Sequence, residues 1–252
     1  MSRIALFIPD LRCGGAQRVI LILADAFAKR EYHVDLIVAQ ARGELINDIP
    51  SRVRVIDLRV ENSPLGFIGF GARTVIRLGK YLREARPDVV LSSITGANLA
   101  AVVARWWSRI PVRLVLREAV SLVNRPHHIW RMMMRVVYPS ADAIIALTPT
   151  MRRELLELLH VPEGKVLCIP NPVDTDRVHR MADVPLDGGG KFDTTKPFIL
   201  AVGRLTAQKD YPTLIRAFAS IASMVDESLV ILGEGPSRRE LESMVAHYRL
   251  QD

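Results

Sequence analysis

Short apolar runs alternate with amphipathic stretches from one end of the chain to the other. Residues 4–8 (IALFI) are continuously apolar, the pattern of a parallel strand buried on both faces. After a loop over 9–15, residues 16–29 place Val19, Ile20, Leu23 and Phe27 on one helical face. The same alternation predicts strands at 34–38, 53–57, 89–92, 114–116, 143–147 and 166–169. Helices are predicted over 71–84, 97–107, 129–138 and 150–159, the first of them ended by Arg86-Pro87. Strands alternating with helices form a parallel sheet covered on both faces.

The rhythm breaks at the turn Asn171-Pro172. Residues 173–196 are polar, contain Pro185 and the run Gly188, Gly189, Gly190, and read as a linker or irregular crossing. Beyond them come a strand at 198–202, a helix at 212–224, a strand at 229–232 and a helix at 237–248. The expected organisation is a complete N-terminal domain over 1–172, a linker over 173–196 and a partial second α/β domain over 197–252. Two strands fall short of the three packed strands that independent stability usually needs.

Composition narrows the class. With 49% hydrophobic residues in 252, a sizeable core is available and disorder is excluded as the main state. The two cysteines, Cys13 and Cys168, have no CxxC spacing, so neither a disulfide scaffold nor a thiolate metal site is expected. Cys13 reads as a small buried filler, and a reducing cytoplasm as the compartment. The first apolar run is broken by Pro9 and Asp10, unlike a secretory signal, and no run reaches the roughly 20 apolar residues that span a bilayer. The expected location is cytoplasmic, with peripheral attachment to the inner face of the cytoplasmic membrane as an option.

The charge is uneven. Up to residue 172 there are 24 Lys and Arg against 15 Asp and Glu, a net of +9; beyond it there are 10 against 12, a net of −2. The stretch 105–135 carries seven arginines and one acid, Glu118, with Trp106, Trp107 and Trp130 among them. Basic residues interleaved with Trp and Met suit an anionic lipid surface, and nucleic acid would attract them too. A solvated face with core-facing Trp and Met explains the same residues.

Three loops fall at the carboxyl ends of predicted strands, where open α/β sheets place their ligands. Gly14-Gly15 precedes the first helix, and the combination of close backbone approach with a helix N-terminus favours phosphate. It is not GxGxxG, which disfavours a nicotinamide dehydrogenase. Gly203-Arg204, followed by Lys209, sets two cations near a flexible glycine, a pairing suited to a diphosphate. Gly233-Glu234-Gly235-Pro236 lines a cleft or simply turns the chain. The adjacent pair His127-His128 cannot grip one metal from a regular helix as an i, i+4 pair can. No metal site is expected.

Five segments together resemble the retaining nucleotide-sugar glycosyltransferases of glycosyltransferase family 4. They are 9–19 (PDLRCGGAQRV), 138–150 (YPSADAIIALTPT), 169–174 (IPNPVD), 203–218 (GRLTAQKDYPTLIRAF) and 229–240 (LVILGEGPSRRE). The resemblance implies a GT-B fold, two Rossmann-like domains facing a cleft, with the second incomplete. It implies sugar transfer from a nucleoside-diphosphate sugar, a UDP-sugar first among them, to a lipid-linked or cell-surface saccharide, with retention and without a metal cofactor. By position, Gly14 and Gly15 match the loop that meets the donor diphosphate. Arg204 and Lys209 match the cations that neutralise it, and Gly233 and Glu234 also face the donor.

Glu118 stands as the catalytic-side acid. The His or Arg that follows this Glu in many relatives is Ala119 here, leaving Arg117, His127 or His128 to supply that contact. Relatives continue further and carry a paired-glutamate motif for the ribose and donor sugar. The alternative expectation is therefore a non-catalytic remnant or subunit that binds acceptor or membrane, with a second chain supplying the absent half. No nucleic-acid partner is expected.

Overall fold

The structure, a computed structural model, describes residues 2–62, 66–123, 128–184 and 197–250. The chain divides into two units, Met1–Met181 and Ala182–Asp252. Pro185, Gly188, Gly189 and Gly190 of the expected linker, and His127, lie outside the described residues.

In the first unit the strands are β1 (Arg3–Ile8), β2 (His33–Val38), β3 (Arg54–Asp57), β4 (Val89–Ser93), β5 (Arg113–Arg117), β6 (Ala143–Ala146) and β7 (Val166–Cys168). They form one sheet in the order β3-β2-β1-β4-β5-β6-β7, parallel at every pairing. Between them run α1 (Gly15–Lys29), α2 (Gly66–Ala85), α3 (Thr95–Ser108), α4 (His128–Val137) and α5 (Pro149–Leu159), and α6 (Thr175–Ala182) follows β7. Strand order reverses between β1 and β4, which is the topological switch point of a doubly wound sheet.

The continuous apolar run of β1 is explained by its two faces. Ile4, Leu6 and Ile8 join Ile20, Leu21 and Ala24 of α1 in one cluster. Ala5 and Phe7 point the other way, into a larger cluster with Leu78 and Leu82 of α2 and Val102 of α3. Helix α2 starts at Gly66, five residues ahead of the expected start, and α6 occupies the beginning of the expected linker.

A buried carboxylate sits in β2 of this sheet. Asp35 of β2 accepts two 2.7 Å bonds from the Arg54 guanidinium and a 2.5 Å bond from the Tyr81 hydroxyl. Burial alone would push the Asp35 carboxyl up, but Arg54 and Tyr81 outweigh it and hold it below its ordinary value. Burial first, and then the Asp35 carboxylate, push the Tyr81 hydroxyl far up against the opposing pull of Arg54. A depressed folded-state pKa stabilises the fold above the unfolded value of about 3.9, and that contribution is lost as pH falls through the folded value. Asp35→Asn should lower stability by roughly 1–3 kcal/mol at neutral pH. Thermal midpoints of the two proteins should converge below about pH 4; a gap independent of pH would contradict this origin.

The second unit pairs β8 (Phe198–Val202) with β9 (Ser228–Leu232) in parallel, and adds α7 (Tyr211–Ile221) and α8 (Arg238–His247). Its core is small: Leu205, Tyr211, Ile215 and Leu241 are buried. The apolar residues of β8 are not enclosed as their pattern alone would demand. Phe198, Ile199, Leu200 and Val202 are 38–69% exposed. Two strands and two helices leave that surface uncovered.

Candidate functional site

The first unit builds a polar cluster along the carboxyl ends of its strands. After β1 the chain turns through residues 9–14. Asp10 is buried and takes bonds from its neighbours Arg12 (Nε, 2.7 Å) and Gln17 (Nε2, 3.3 Å). The turn is anchored from outside by residues 42–45: Leu11 N–H donates to the Arg42 carbonyl, and Leu45 N–H to the Leu11 carbonyl. Gly43 makes this possible. Its φ of 126° lies outside the usual L-residue range, and a Cβ there would strike the Leu11 and Arg12 backbone.

Gly14 and Gly15 open α1. No side chain caps this helix, and its first turn holds no acid, so its leading N–H groups are not engaged by a capping side chain. A Cβ on Gly15 would meet nothing within 4 Å, so no protein atom near position 15 demands glycine. Space over bare N–H groups at a helix N-terminus suits an anion. Cys13, expected to be buried, is exposed, and its backbone N–H donates to Glu44 at 2.7 Å.

Further along the same edge, β4 ends in Ser92 and Ser93, and Ile94 takes φ 78°, rare for a β-branched residue. Arg117, the last residue of β5, is buried. Its guanidinium donates to Ser93 Oγ at 2.8 Å and to Asn171 Oδ1 in the loop after β7. Burial pushes the Arg117 pKa down, and the neighbouring Glu118 carboxylate pulls it up. The guanidinium ties the ends of β4 and β5 to the loop that leads into α6.

Glu118 is fully enclosed. Its carboxylate accepts from Thr95 Oγ1 at 2.9 and 3.0 Å and from the Tyr138 hydroxyl at 2.6 Å. Tyr138 in turn accepts from Asn98 Nδ2 at 3.1 Å. The carboxylate thus holds α3, β5 and the Tyr138 turn together rather than facing solvent. His128 is exposed at the start of α4, 2.7 Å from the Arg131 guanidinium, and is not part of this cluster.

In the second unit the two strand-end loops interlock. Leu205 N–H donates to the Glu234 carbonyl at 2.9 Å, and Ser237 N–H to the Leu205 carbonyl at 3.0 Å. A Cβ on Gly233 would collide with the Gly203 carbonyl, and one on Gly235 with Leu205. These glycines are therefore required by packing alone. Gly203 leaves room for the Lys209 stem and the Tyr211 hydroxyl. Arg204 and Lys209 project from this loop exposed, and among the described residues no carboxylate lies within 4.0 Å of either. Glu234, by contrast, is paired with Arg238. Sequence reasoning singled out Gly14, Gly15, Gly233, Glu234 and the cation pair; Thr95, Tyr138, Asn98 and Gly43 carry no short-range signal.

A doubly wound parallel sheet with a switch-point cluster, followed by a second parallel α/β unit bearing a cation loop, defines a protein of the GT-B class. The profile of Glycosyltransferase Family 4 matches residues 13–177, and that of Glycosyl transferases group 1 matches residues 187–252. The chain belongs to glycosyltransferase family 4. It is 27% identical, over 97% of its length, to the Campylobacter jejuni GalNAc-α-(1→4)-GalNAc-α-(1→3)-diNAcBac-PP-undecaprenol α-1,4-N-acetyl-D-galactosaminyltransferase, of which it covers 65%. All of the chain superposes on 69% of the sucrose-phosphate synthase of Thermosynechococcus elongatus, at TM-score 0.73 and 18% identity. It likewise superposes on 67% of Anabaena HepE in complex with UDP-glucose, at TM-score 0.70 and 16% identity. The chain thus spans about two thirds of the length of these proteins.

Proposed function

We propose that the protein serves transfer of a sugar from a nucleoside-diphosphate sugar, a UDP-sugar first among them, to a lipid-linked or cell-surface saccharide acceptor. The observation that carries this reading is the loop holding Arg204 and Lys209. Two exposed cations without carboxylate partners among the described residues stand at a strand's carboxyl end, on a loop fixed by backbone bonds to its neighbour. When the bond from the sugar to the diphosphate breaks, negative charge grows on the leaving oxygen. Fixed cations stabilise that charge in the transition state. The bare N-terminus of α1 at Gly15 offers a second anion-binding element.

The acceptor class follows the Campylobacter relative, whose name specifies an undecaprenol-diphosphate acceptor. The donor class follows HepE, solved with UDP-glucose. Retention at the anomeric carbon is carried over from the family. With Glu118 engaged by Thr95 and Tyr138, we assign it a positioning role at the end of β5 rather than direct attack on the sugar. A lipid-linked acceptor places the protein at a membrane surface, on the cytoplasmic side where nucleotide sugars are made. Among the described residues no helix is long and apolar enough to cross a membrane.

A second reading is a non-catalytic acceptor- or membrane-binding module, or a subunit completed by another chain. The exposed strands of the second unit favour it. Titration with uridine diphosphate separates the two. Binding that UDP-sugars compete for, with release of uridine diphosphate when acceptor is added, supports transfer. Acceptor or vesicle binding with no nucleotide binding supports the module.

A further inference from the structure

Helix α4 carries an apolar stripe that the core does not use. With about 3.6 residues per turn, its ten residues fall into three faces roughly 120° apart. Trp130, Met134 and Val137 face inward; Met134 and Val137 are buried, and Trp130 packs against the larger core cluster. Ile129, Met132, Met133 and Val136 form a second face at i, i+3, i+4 and i+7, and are 42–72% exposed. His128, Arg131 and Arg135 form the third.

The cations of that third face contact histidines. Arg131 contacts His128 at 2.7 Å, and Arg135 contacts His160 at 2.6 Å. Among the described residues no carboxylate lies within 4.0 Å of either guanidinium. Elsewhere in the 105–135 stretch several of the basic and aromatic groups are engaged, while Trp106, Arg109 and Arg113 stay exposed. Arg105 pairs with Asp142 at 2.6 Å, Arg117 is buried, and Trp107 lies under the Arg83 guanidinium at 4.1 Å. Helix α4 sets four exposed apolar side chains on one face directly beside two cations that, among the described residues, have no carboxylate partner.

We infer that the outward face of α4 is a reversible docking surface for an anionic lipid bilayer. Ile129, Met132, Met133 and Val136 would enter the interface, with Arg131 and Arg135 meeting lipid phosphates alongside. An interfacial helix needs this division into an apolar face and a basic flank. Four side chains on one helix offer a few hundred Å², below the roughly 800 Å² per partner of a stable protein interface. That size disfavours a second copy of the chain as the occupant. A bilayer surface supplies hydrocarbon and phosphate in one plane, matching both faces at once.

Flotation with phosphatidylcholine vesicles, with and without phosphatidylglycerol, tests this. The vesicles contain no saccharide acceptor and the assay no nucleotide. A failure here therefore leaves the transfer reading standing, and that reading fails separately in the nucleotide titration. The wild type should partition at least roughly tenfold more onto anionic vesicles, less so as salt rises. Met132→Ser with Val136→Ser should lower partition onto anionic vesicles by roughly tenfold. Arg131→Gln with Arg135→Gln should abolish the anionic preference and the salt dependence. All four positions lie off the core face, so circular dichroism and thermal midpoints should stay unchanged. Equal flotation on both vesicle types, or folded variants that float like the wild type, would overturn the proposal. So would a micromolar dimer that the serine pair dissolves without altering flotation.

Discussion

Alanine at Arg204 or at Lys209 should each weaken uridine diphosphate binding by roughly tenfold to a hundredfold, the range of about 1.5–3 kcal/mol for a charge-assisted bond. Both side chains are exposed, without a carboxylate neighbour among the described residues, so removing either leaves no buried charge and should leave the fold intact. Arg216 provides the control. It is an exposed cation on α7 whose guanidinium bonds Thr213 at 3.0 Å, away from the strand-end loop, and Arg216→Ala should leave affinity unchanged. Because both cations act on one diphosphate, the double variant need not lose the sum of the single losses. Titration calorimetry reads the wild type and all four variants. Unchanged affinity in both single variants would return the loop to a solvated turn.

The parallel sheet was legible because buried strands of this kind are continuous apolar runs. Residues 4–8 and 198–202 announce themselves without reference to anything distant. The glycine loops were legible because glycine at a strand end carries a mechanical meaning. What stayed hidden depends on partners far along the chain. Glu118 looks like an acid offered to a ligand until Thr95, 23 residues earlier, and Tyr138, 20 residues later, close around it. Gly43 stands in an unremarkable polar stretch, and only the approach of Leu11 explains it.

The α6 segment (TDRVHRMA) is short and mostly polar, with only Val178, Met181 and Ala182 on an apolar face, and none of its residues is buried. The Trp- and Arg-rich stretch read as one patch in sequence. Folding distributes it: Arg117 goes inside, Trp107 packs beneath Arg83, Trp106, Arg109 and Arg113 stay at the surface, and α4 turns an apolar face outward. Composition carries the charge of such a segment; only helical phase says which residues share a face.

Limited trypsin digestion should cut between residues 173 and 196 and leave a resistant N-terminal fragment. The segment offers Arg177, Arg180 and Lys191, and its helix α6 buries no residue. Protection elsewhere depends on how much apolar surface must be opened for cleavage. In the first unit a seven-stranded sheet is held between two apolar clusters, and opening its central strands disrupts both. The second unit has two strands and a core of four buried residues, with β8 exposed along most of its length. Apolar strands with open edges are also templates for aggregation. Residues 197–252 should therefore be degraded soon after the first cut, or persist only when another polypeptide covers β8 and β9. Mass spectrometry of the time course distinguishes the outcomes. If residues 197–252 survive as long as the N-terminal fragment in the isolated chain, the two-stranded unit is stable by itself. The exposure of Leu200 and Val202 would then need another explanation than a surface awaiting cover.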